Sequence, residues 1–122
     1  MKALVVDDSA VMRKVLIGAL SRAGVEETDQ AADGVECVEA VENEDYGLIL
    51  MDWNMPNMNG LELAQSIRSD GQLAGLPILM VTTRGMKEDV VQAMEADINN
   101  YVVKPFTPSV LQEKIDSILH DA

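Results

Sequence analysis

The chain has 122 residues, of which 48% are hydrophobic and 25% are charged, and its formal net charge at pH 7 is -12. This length and composition predict one folded domain with its own buried core. The negative charge argues against a partner that is nucleic acid or an anionic membrane, because both require a positive protein surface.

The chain begins with a short apolar run, residues 3–6, that ends in Asp7 and Asp8. Such a run is too short for a signal peptide or a membrane span, but it is typical of a strand covered on both faces of a parallel sheet. A helical apolar stripe follows and is closed by Gly24. Asp8 or Ser9 could cap this helix, so Asp8 has a structural explanation as well as a functional one. The apolar members of the stripe are Val11, Met12, Val15, Leu16, Ala19, Leu20 and Ala23.

The second strand and the second helix are predicted at residues 28–32 and 35–41. This strand is much more polar than the first run, and polar strands belong at the edges of sheets. The helix contains Cys37, which is the one cysteine of the chain, so no internal disulfide can form. A reducing compartment fits a lone cysteine, and we expect a cytoplasmic protein.

A third apolar run, residues 48–51, ends in Asp52. Because a loop follows and no helix begins soon enough, Asp52 is not explained as a helix cap. A helix at residues 61–67 and a strand at residues 78–81 come next, and Thr82 ends that strand. Thr82 could simply be a turn residue or a helix cap.

The last predicted elements are a helix at residues 90–94, a strand at residues 101–103 and a C-terminal helix. Two asparagines dilute the strand, which places it at the other edge of the sheet. Lys104 ends the strand and, taken alone, could be an ordinary surface lysine. The C-terminal helix has Thr107 as its N-cap and Pro108 in its first turn. Its apolar positions are Val110, Leu111, Ile115, Ile118 and Leu119.

Strand and helix thus alternate five times, which is the signature of a doubly wound α/β fold with one parallel sheet. In such a sheet all strands end at the same edge, where α/β folds bind ligands. Crowded carboxylates repel one another, so a folded chain keeps them together mainly to hold a divalent cation. The side chains predicted to meet at this edge are Asp7, Asp8, Asp52, Thr82 and Lys104.

Hard oxygen ligands without His or Cys suit Mg²⁺. The metal would offset the repulsion among the carboxylates and leave Asp52 ionised as a nucleophile. An incoming phosphoryl group would be stabilised by Mg²⁺ and Lys104, while the Thr82 hydroxyl could bind one of its oxygens. We therefore predict an aspartyl phosphate, whose added charge pulls Thr82 and its loop inward.

Five segments carry a family resemblance and together span nearly the whole chain. They are residues 5–9 (VVDDS), 31–34 (AADG), 51–63 (MDWNMPNMNGLEL), 81–82 (VT) and 101–106 (YVVKPF). With this spacing of aspartates, threonine and lysine, the chain resembles the response-regulator receiver domain, and most of all the single-domain chemotaxis form of that family. The resemblance implies one receiver domain over residues 1–122, with a flavodoxin-like five-stranded sheet in the order 2-1-3-4-5.

The resemblance also implies roles for the site residues. Asp52 would accept a phosphoryl group from the phosphohistidine of a histidine kinase. Asp8 and Asp52 would ligate Mg²⁺ directly. The backbone carbonyl of Asn54 would be a further ligand, and Asp7 would act through a water molecule. Lys104 would contact the phosphate.

A switch mechanism is implied as well. Thr82 would move toward the phosphate, Tyr101 would turn inward to occupy the space, and the bond before Pro105 would be cis. The protein would be a monomeric signalling switch rather than an enzyme, catalysing only its own phosphorylation and dephosphorylation. Its downstream partner would be a protein such as a flagellar motor switch component, bound by the fourth helix, the fifth strand and the fifth helix.

Three departures from the family pattern limit this transfer. Asp97-Ile98 stands where the family often has Gly-Ala, so we expect the turn before the fifth strand to differ. Thr83 is bulkier than the usual small residue and would narrow access to the phosphate. Arg84 and Asn54 lie at positions that commonly tune dephosphorylation, so the lifetime of the phosphorylated state is left open.

Two other classes of protein and one rival role within the family stay open. A metal-dependent phosphohydrolase with an Asp nucleophile usually has two aspartates on its first strand with one other residue between them, whereas Asp7 and Asp8 are adjacent. A flavodoxin-like flavin binder needs a phosphate loop rich in Ser, Thr and Gly at this point, where the two carboxylates would repel the phosphate. Within the family, a phosphorelay intermediate is the rival to a motor switch, and the pair Thr82 and Tyr101 favours the output role.

Overall fold

Strands and helices alternate along the chain in the computed structural model, which describes residues 1–120. The strands within that range are β1 (Lys2–Val6), β2 (Glu27–Ala31), β3 (Leu48–Met51), β4 (Ile78–Thr82) and β5 (Asn100–Val103). The helices are α1 (Ala10–Arg22), α2 (Gly34–Asn43), α3 (Gly60–Ser69), α4 (Lys87–Glu95) and α5 (Pro108–His120). All neighbouring strands pair in parallel, in the order β2-β1-β3-β4-β5. The predicted doubly wound fold and strand order are confirmed.

The polar strands lie at the two edges of the sheet, as their composition predicted. β2 and β5 flank the central strands β1, β3 and β4, whose apolar side chains are buried on both faces. β2 begins and ends one residue earlier than the sequence pattern suggested. The reason is local, because the backbone N–H of Ala32 donates to the side chain of Glu36 in α2 instead of continuing the ladder.

Two apolar layers cover the sheet, one on each face. On one face α2, α3 and α4 contribute the side chains of Cys37, Leu63 and Ala93, among others, to a core with β1, β3 and β4. On the other face α1 and α5 contribute Leu16 and Leu111. Each fully buried leucine stabilises the fold by about 1.5–3 kcal/mol, so these two layers supply most of the driving force for folding.

The predicted stripe of α1 is wider than the face that the fold covers. Leu16, Ala19 and Leu20 are buried, whereas Val11 is 74% exposed and Val15 is 40% exposed. The covered face is centred on these three residues and includes Met12 in the first turn, whereas Val11 and Val15, one helical turn apart, lie at the side of that face. Sequence periodicity identified the helix but overstated its buried side.

The turn between α4 and β5 contains one of the departures from the family pattern. Asp97 has a left-handed φ of 58°, a conformation that glycine adopts at least cost and that aspartate tolerates. The guanidinium of Arg68 donates to the Asp97 carbonyl at 3.1 and 2.8 Å and also to the carbonyls of Ala74 and Leu76. Arg68 therefore ties the end of α3 to two loops at the edge where the strands begin.

Two further expectations concern Cys37 and membrane spans. Cys37 is buried in α2, and burial raises the pKa of its thiol to about 12, so it is not a reactive thiolate. Within residues 1–120, each helix is too short or too polar to pass through a lipid bilayer.

Candidate functional site

The sheet itself positions the site, because its hydrogen-bond ladder continues one step past the ends of three strands. The backbone N–H of Asp7 donates to Ala31 in β2 at 3.1 Å, and that of Asp52 donates to Val6 in β1 at 3.0 Å. The backbone N–H of Lys104 donates to Thr82 in β4 at 2.8 Å. Each site residue is therefore held by the neighbouring strand, and their side chains reach the same edge.

A buried ion triad lies at the centre of that edge. The Lys104 ammonium donates to Asp7 Oδ2 at 2.8 Å and to Asp52 Oδ2 at 3.3 Å. Asp7 is 1% exposed and Asp52 is 7% exposed, and the lysine side chain is 13% exposed. The sequence prediction that these residues meet is confirmed, although they are up to 97 positions apart in the chain.

Asp8 completes an acidic cluster at the surface. One carboxylate oxygen from each of Asp7, Asp8 and Asp52 lies within 4.8 Å of the others, and Asp8 is the exposed member. Ser9, not Asp8, caps α1, because its Oγ accepts the backbone N–H of Met12. The structural explanation for Asp8 is thereby removed, and its carboxylate is left for another role.

The electrostatics of the site favour a charged lysine. Burial by itself lowers the pKa of Lys104, but the hydrogen bond and charge of Asp7 and the charge of Asp52 outweigh it, so the pKa lies above the ordinary value. The ammonium therefore stays protonated and offsets part of the repulsion between the two buried carboxylates.

Helix α1 and strand β2 brace the first strand end. The backbone N–H of Ser9 donates to Asp7 Oδ1 at 2.9 Å, which fixes the direction of that carboxylate. Arg13 donates to the Asp7 carbonyl and, through Nε, to Gln30 in β2 at 2.8 Å. Arg13 is not predictable from the sequence, since an arginine on the polar side of a helix carries no positional signal.

A glycine contact fixes the backbone at Asp52. A Cβ placed on Gly60 would lie 2.3 Å from the Asp52 carbonyl oxygen and 2.8 Å from the Cα of Trp53. The backbone N–H of Gly60 donates to the Trp53 carbonyl at 2.8 Å, so the start of α3 closes directly onto the end of β3. Any other residue type at position 60 would push away the backbone of Asp52 and Trp53 at the end of β3.

A hydrogen-bonded chain links the other half of the site. Thr82 is fully buried, and its Oγ1 accepts the backbone N–H of Arg84 at 3.4 Å. The Tyr101 hydroxyl donates to the carbonyl of Arg84. Burial, with the nearby carboxylate of Asp89, raises the pKa of Tyr101 to about 12. The two predicted switch residues thus contact the same loop residue.

The side chains of Arg84 and Asn54 cross from one loop to the other. The Arg84 guanidinium stacks 4.3 Å from the centroid of the Trp53 ring and pairs with Asp89 at 2.9 Å. The Asn54 amide donates to Thr83 Oγ1 at 3.2 Å. The loops after β3 and β4 are therefore joined by two side-chain contacts.

The cis bond before Pro105, expected from the resemblance, is present.

The donor set fits a hard divalent cation. The cluster offers carboxylate oxygens from two buried residues and one exposed residue, with the Lys104 ammonium behind them. Carboxylates in this number suit Mg²⁺, which takes one or two of them directly and keeps several waters. The arrangement can hold a cation at the surface while the inner oxygens remain beside the lysine.

Comparison with known proteins points to one family. A profile of the response regulator receiver domain matches residues 3–116. The chain is 49% identical to the chemotaxis protein CheY1 of Helicobacter pylori over 120 residues, which cover 98% of this chain and 97% of that protein. It is 48% identical to a chemotaxis protein CheY homolog of Campylobacter jejuni, over 98% of this chain and 92% of the relative. Among solved structures, chemotaxis response regulator CheY4 of Vibrio cholerae has a TM-score of 0.88 and 33% identity, covering 96% of this chain and 97% of that chain.

Proposed function

The chain belongs to the response regulator receiver domain family, and on that basis we propose that it is a phosphoacceptor switch in which Asp52 takes a phosphoryl group from the phosphohistidine of a histidine kinase. The observation that carries the proposal is the burial of Asp52 beside Lys104 at the shared edge of the sheet. The Asp52 carboxylate can attack phosphorus, and the Lys104 ammonium, at 3.3 Å from it, can neutralise part of the negative charge on the phosphoryl oxygens.

The chemical step is a transfer between two side chains. An Asp52 carboxylate oxygen forms a bond to phosphorus as the bond from phosphorus to the kinase histidine breaks, and the imidazole, already protonated on its other ring nitrogen, leaves as a neutral group. The charge of the transition state spreads over the three peripheral oxygens. Lys104 neutralises one of them, and the Thr82 hydroxyl donates to another after the loop moves.

Asp8, Asp52 and the backbone carbonyl of Asn54 would hold Mg²⁺ directly, with Asp7 acting through water. When bound, the cation supplies further neutralisation of the phosphoryl oxygens and of the carboxylates that surround them. The protein's own residues hold the reacting groups in position. Asp7 keeps Lys104 in place through the 2.8 Å contact, and the Lys104 backbone is in turn held by β4.

The switch is transmitted through Arg84. A phosphoryl group on Asp52 adds negative charge and hydrogen-bond acceptors that attract the Thr82 hydroxyl. The backbone N–H of Arg84 donates to Thr82 Oγ1, and the Arg84 carbonyl accepts a hydrogen bond from the Tyr101 hydroxyl. Because Arg84 contacts both residues, movement of Thr82 changes the position that Tyr101 can occupy. The surface of α4, β5 and α5 would then present a different shape to a partner.

We infer a chemotaxis role from the relatives at 48–49% identity, with a downstream protein such as a flagellar motor switch component. On this view the protein is not an enzyme, since it catalyses only its own phosphorylation and dephosphorylation. The contacts of Thr82 and Tyr101 with one loop residue favour this output role over that of a phosphorelay intermediate.

Labelling with a small acyl phosphate in the presence of Mg²⁺ tests the proposal. We expect one phosphoryl group per chain, located on Asp52 by mass spectrometry, and no label in Asp52→Asn. The matched control is Asp45→Asn, which removes an exposed carboxylate between α2 and β3 at the opposite edge and should label normally. Retention of label in Asp52→Asn would contradict the assignment, and steady turnover of a phosphomonoester would favour a phosphohydrolase instead.

A further inference from the structure

Residues 33–34 and 57–58 lie in two of the matched sequence segments but have no role in the switch described above, and the structure brings them together. The first, residues 31–34, leads into α2, and the second lies in the β3–α3 loop, residues 52–59. The amide of Asn57, at the tip of that loop, donates to Asp33 Oδ2 at 2.8 Å. The segments are 24 residues apart, so this contact is tertiary and not a local turn.

Asp33 serves two partners with its two oxygens. Oδ1 accepts the backbone N–H of Glu36 at 2.8 Å and so caps α2, while Oδ2 accepts from Asn57. Two hydrogen bonds lower the pKa of Asp33 below its ordinary value, and the one from the backbone of Glu36 has a larger effect than the one from Asn57. The carboxylate is therefore ionised at neutral pH, and charge-assisted hydrogen bonds of this kind are stronger than neutral ones.

A backbone contact lies beside this hydrogen bond. A Cβ on Gly34 would lie 2.7 Å from the Cβ of Met58 and 2.8 Å from its carbonyl oxygen, so the loop packs against the helix start at the distance that only glycine permits. Asn57 has a left-handed φ of 69°, which turns the loop so that its amide faces α2. Asparagine and glycine are the residues that adopt this conformation most readily.

The loop is thus anchored at three places, and Asn54 lies between them. Gly60 closes it onto Trp53, Met55 is buried at its centre, and Asn57 with Met58 joins it to α2. Asn54 itself is exposed, and its backbone N–H donates to Asp52 Oδ1 at 3.3 Å. The Asn54 carbonyl belongs to the peptide that joins Asn54 to buried Met55, two residues before Asn57, so a contact that holds the tip of the loop restricts the movement of that peptide.

We propose that the contact of Asp33 and Gly34 with Asn57 and Met58, the α2–loop clamp, is a positioning device that aims the Asn54 carbonyl at the cation site. The inference rests on the proposed Mg²⁺ site. With the clamp intact, the carbonyl is ordered before the cation arrives. Without it, cation binding must also order the loop, and the lost conformational entropy weakens the affinity.

The test is a Mg²⁺ titration followed by calorimetry and by the emission of Trp53, which lies in the same loop. Asn57→Gly removes the amide while keeping the left-handed backbone, and we expect roughly tenfold weaker Mg²⁺ binding, as is typical of lost outer-shell partners. Asp33→Ser keeps a helix cap but lacks the second oxygen, and should weaken binding to a similar extent. Asn43→Ala removes an exposed amide hydrogen bond at the far end of α2 and should have no effect.

An exchange of the two groups separates positioning from stability. The Asp33→Asn/Asn57→Asp double variant restores the hydrogen bond with donor and acceptor reversed and leaves the net charge unchanged. We expect it to recover Mg²⁺ affinity to within about threefold of the parent, while urea unfolding shows that every variant is folded during the titration. If Asn57→Gly does not fold, Asp33→Ser and the exchanged pair carry the test.

The outcomes distinguish the clamp from the site that it serves. Normal Mg²⁺ binding by the parent chain, with unchanged affinity in folded Asn57→Gly and Asp33→Ser, would overturn the clamp and leave the proposed function standing. An exchanged pair no better than either single variant would overturn it as well. Absence of Mg²⁺ binding by the parent chain would overturn both.

Discussion

The two halves of the site are built differently. The acidic side, formed by Asp7, Asp8, Asp52 and Gly60, is held by glycine contacts to backbone atoms and by capped helices. The switch side, formed by Thr82, Arg84 and Tyr101, leads into α4, whose N-cap Met86 makes no side-chain hydrogen bond among the described residues. Within residues 1–120, α3 buries Gly60, Leu63, Ala64 and Ile67, whereas α4 buries Ala93.

This difference matches the two tasks that a phosphoacceptor switch performs. Transfer of a phosphoryl group requires groups held close to their reacting positions, because small displacements are costly in rate. A change of surface requires an element whose rearrangement costs little, and such elements come from the less stable part of a fold. The acidic side therefore gains from close packing, and the switch side gains from the looser attachment of α4.

The largest expected effect contrasts a glycine on each side. In Gly60→Ala the new methyl would meet backbone atoms at 2.3 and 2.8 Å, which cannot move without shifting β3. We expect a loss of about 3 kcal/mol in the free energy of unfolding, at the upper end for overpacking. In Gly85→Ala the methyl would meet a Val103 side chain at 3.1 Å, and Val103 is 42% exposed. In Gly85→Ala the free energy of unfolding, measured by urea denaturation, should change by no more than about 0.5 kcal/mol. Equal losses in the two variants would contradict the contrast.

Alkaline pH should weaken the fold through both halves. The folded-state pKa of Lys104 lies above 10.5, and that of Tyr101 is raised from 10.0 to about 12. Because both groups hold their protons more tightly when folded, their stabilisation is complete below those ordinary values and is lost as the pH rises through the folded-state pKa values.

Tyr101→Phe isolates the contribution of the switch side. The variant should lose less stability than the parent chain in urea unfolding as the pH is raised from about 9 to about 11. The phenolate absorbance of Tyr101, obtained as the difference between the parent and the variant, should develop around pH 12. An identical pH dependence in the two proteins would contradict the burial of this hydroxyl.

A smaller effect concerns the caps of α3 and α4. Asn59 and Glu62 form a reciprocal capping box at the start of α3, so Asn59→Ala should cost about 1 kcal/mol. Met86 already has the extended backbone of an N-cap, with φ -71° and ψ 150°, and Met86→Ser should stabilise α4 by up to about 1 kcal/mol. Slower amide exchange confined to α4 in Met86→Ser is the measurement that checks this, and unchanged exchange would indicate that α4 is already firmly held.

The smallest expected effect is at the contact between the halves. Arg84→Ala removes the guanidinium that stacks on Trp53 at 4.3 Å and should cost about 0.5–1 kcal/mol at this exposed position. Arg84→Lys keeps the charge but loses the planar stacking, which makes it the matched control. Trp53 emission should change more in Arg84→Ala than in Arg84→Lys, and equal spectra would remove the stacking contact from the comparison.

Much of this molecule follows from pattern alone. Short apolar runs separated by helical stripes predicted the parallel sheet, and the polar composition of two runs placed them at its edges. Because parallel strands end together, Asp7, Asp52 and Lys104 could be brought to one site without coordinates, and the structure confirms that meeting. The family resemblance added the strand order and the cis bond before Pro105, both of which the structure also has.

Other features could be decided only by the folded chain. Which of Asp8 and Ser9 caps α1, why position 60 accepts only glycine, and how Asp33 meets Asn57 all depend on the distance between segments far apart in sequence. The exposure of Val11 likewise depends on which side of α1 packs against the rest of the fold. The sequence by itself determined the period of each element and the last residue of every strand except β2, because those are mainly local properties of the chain. Close contacts and hydrogen-bond partners were decided by packing, because each depends on two segments whose spacing neither one encodes alone.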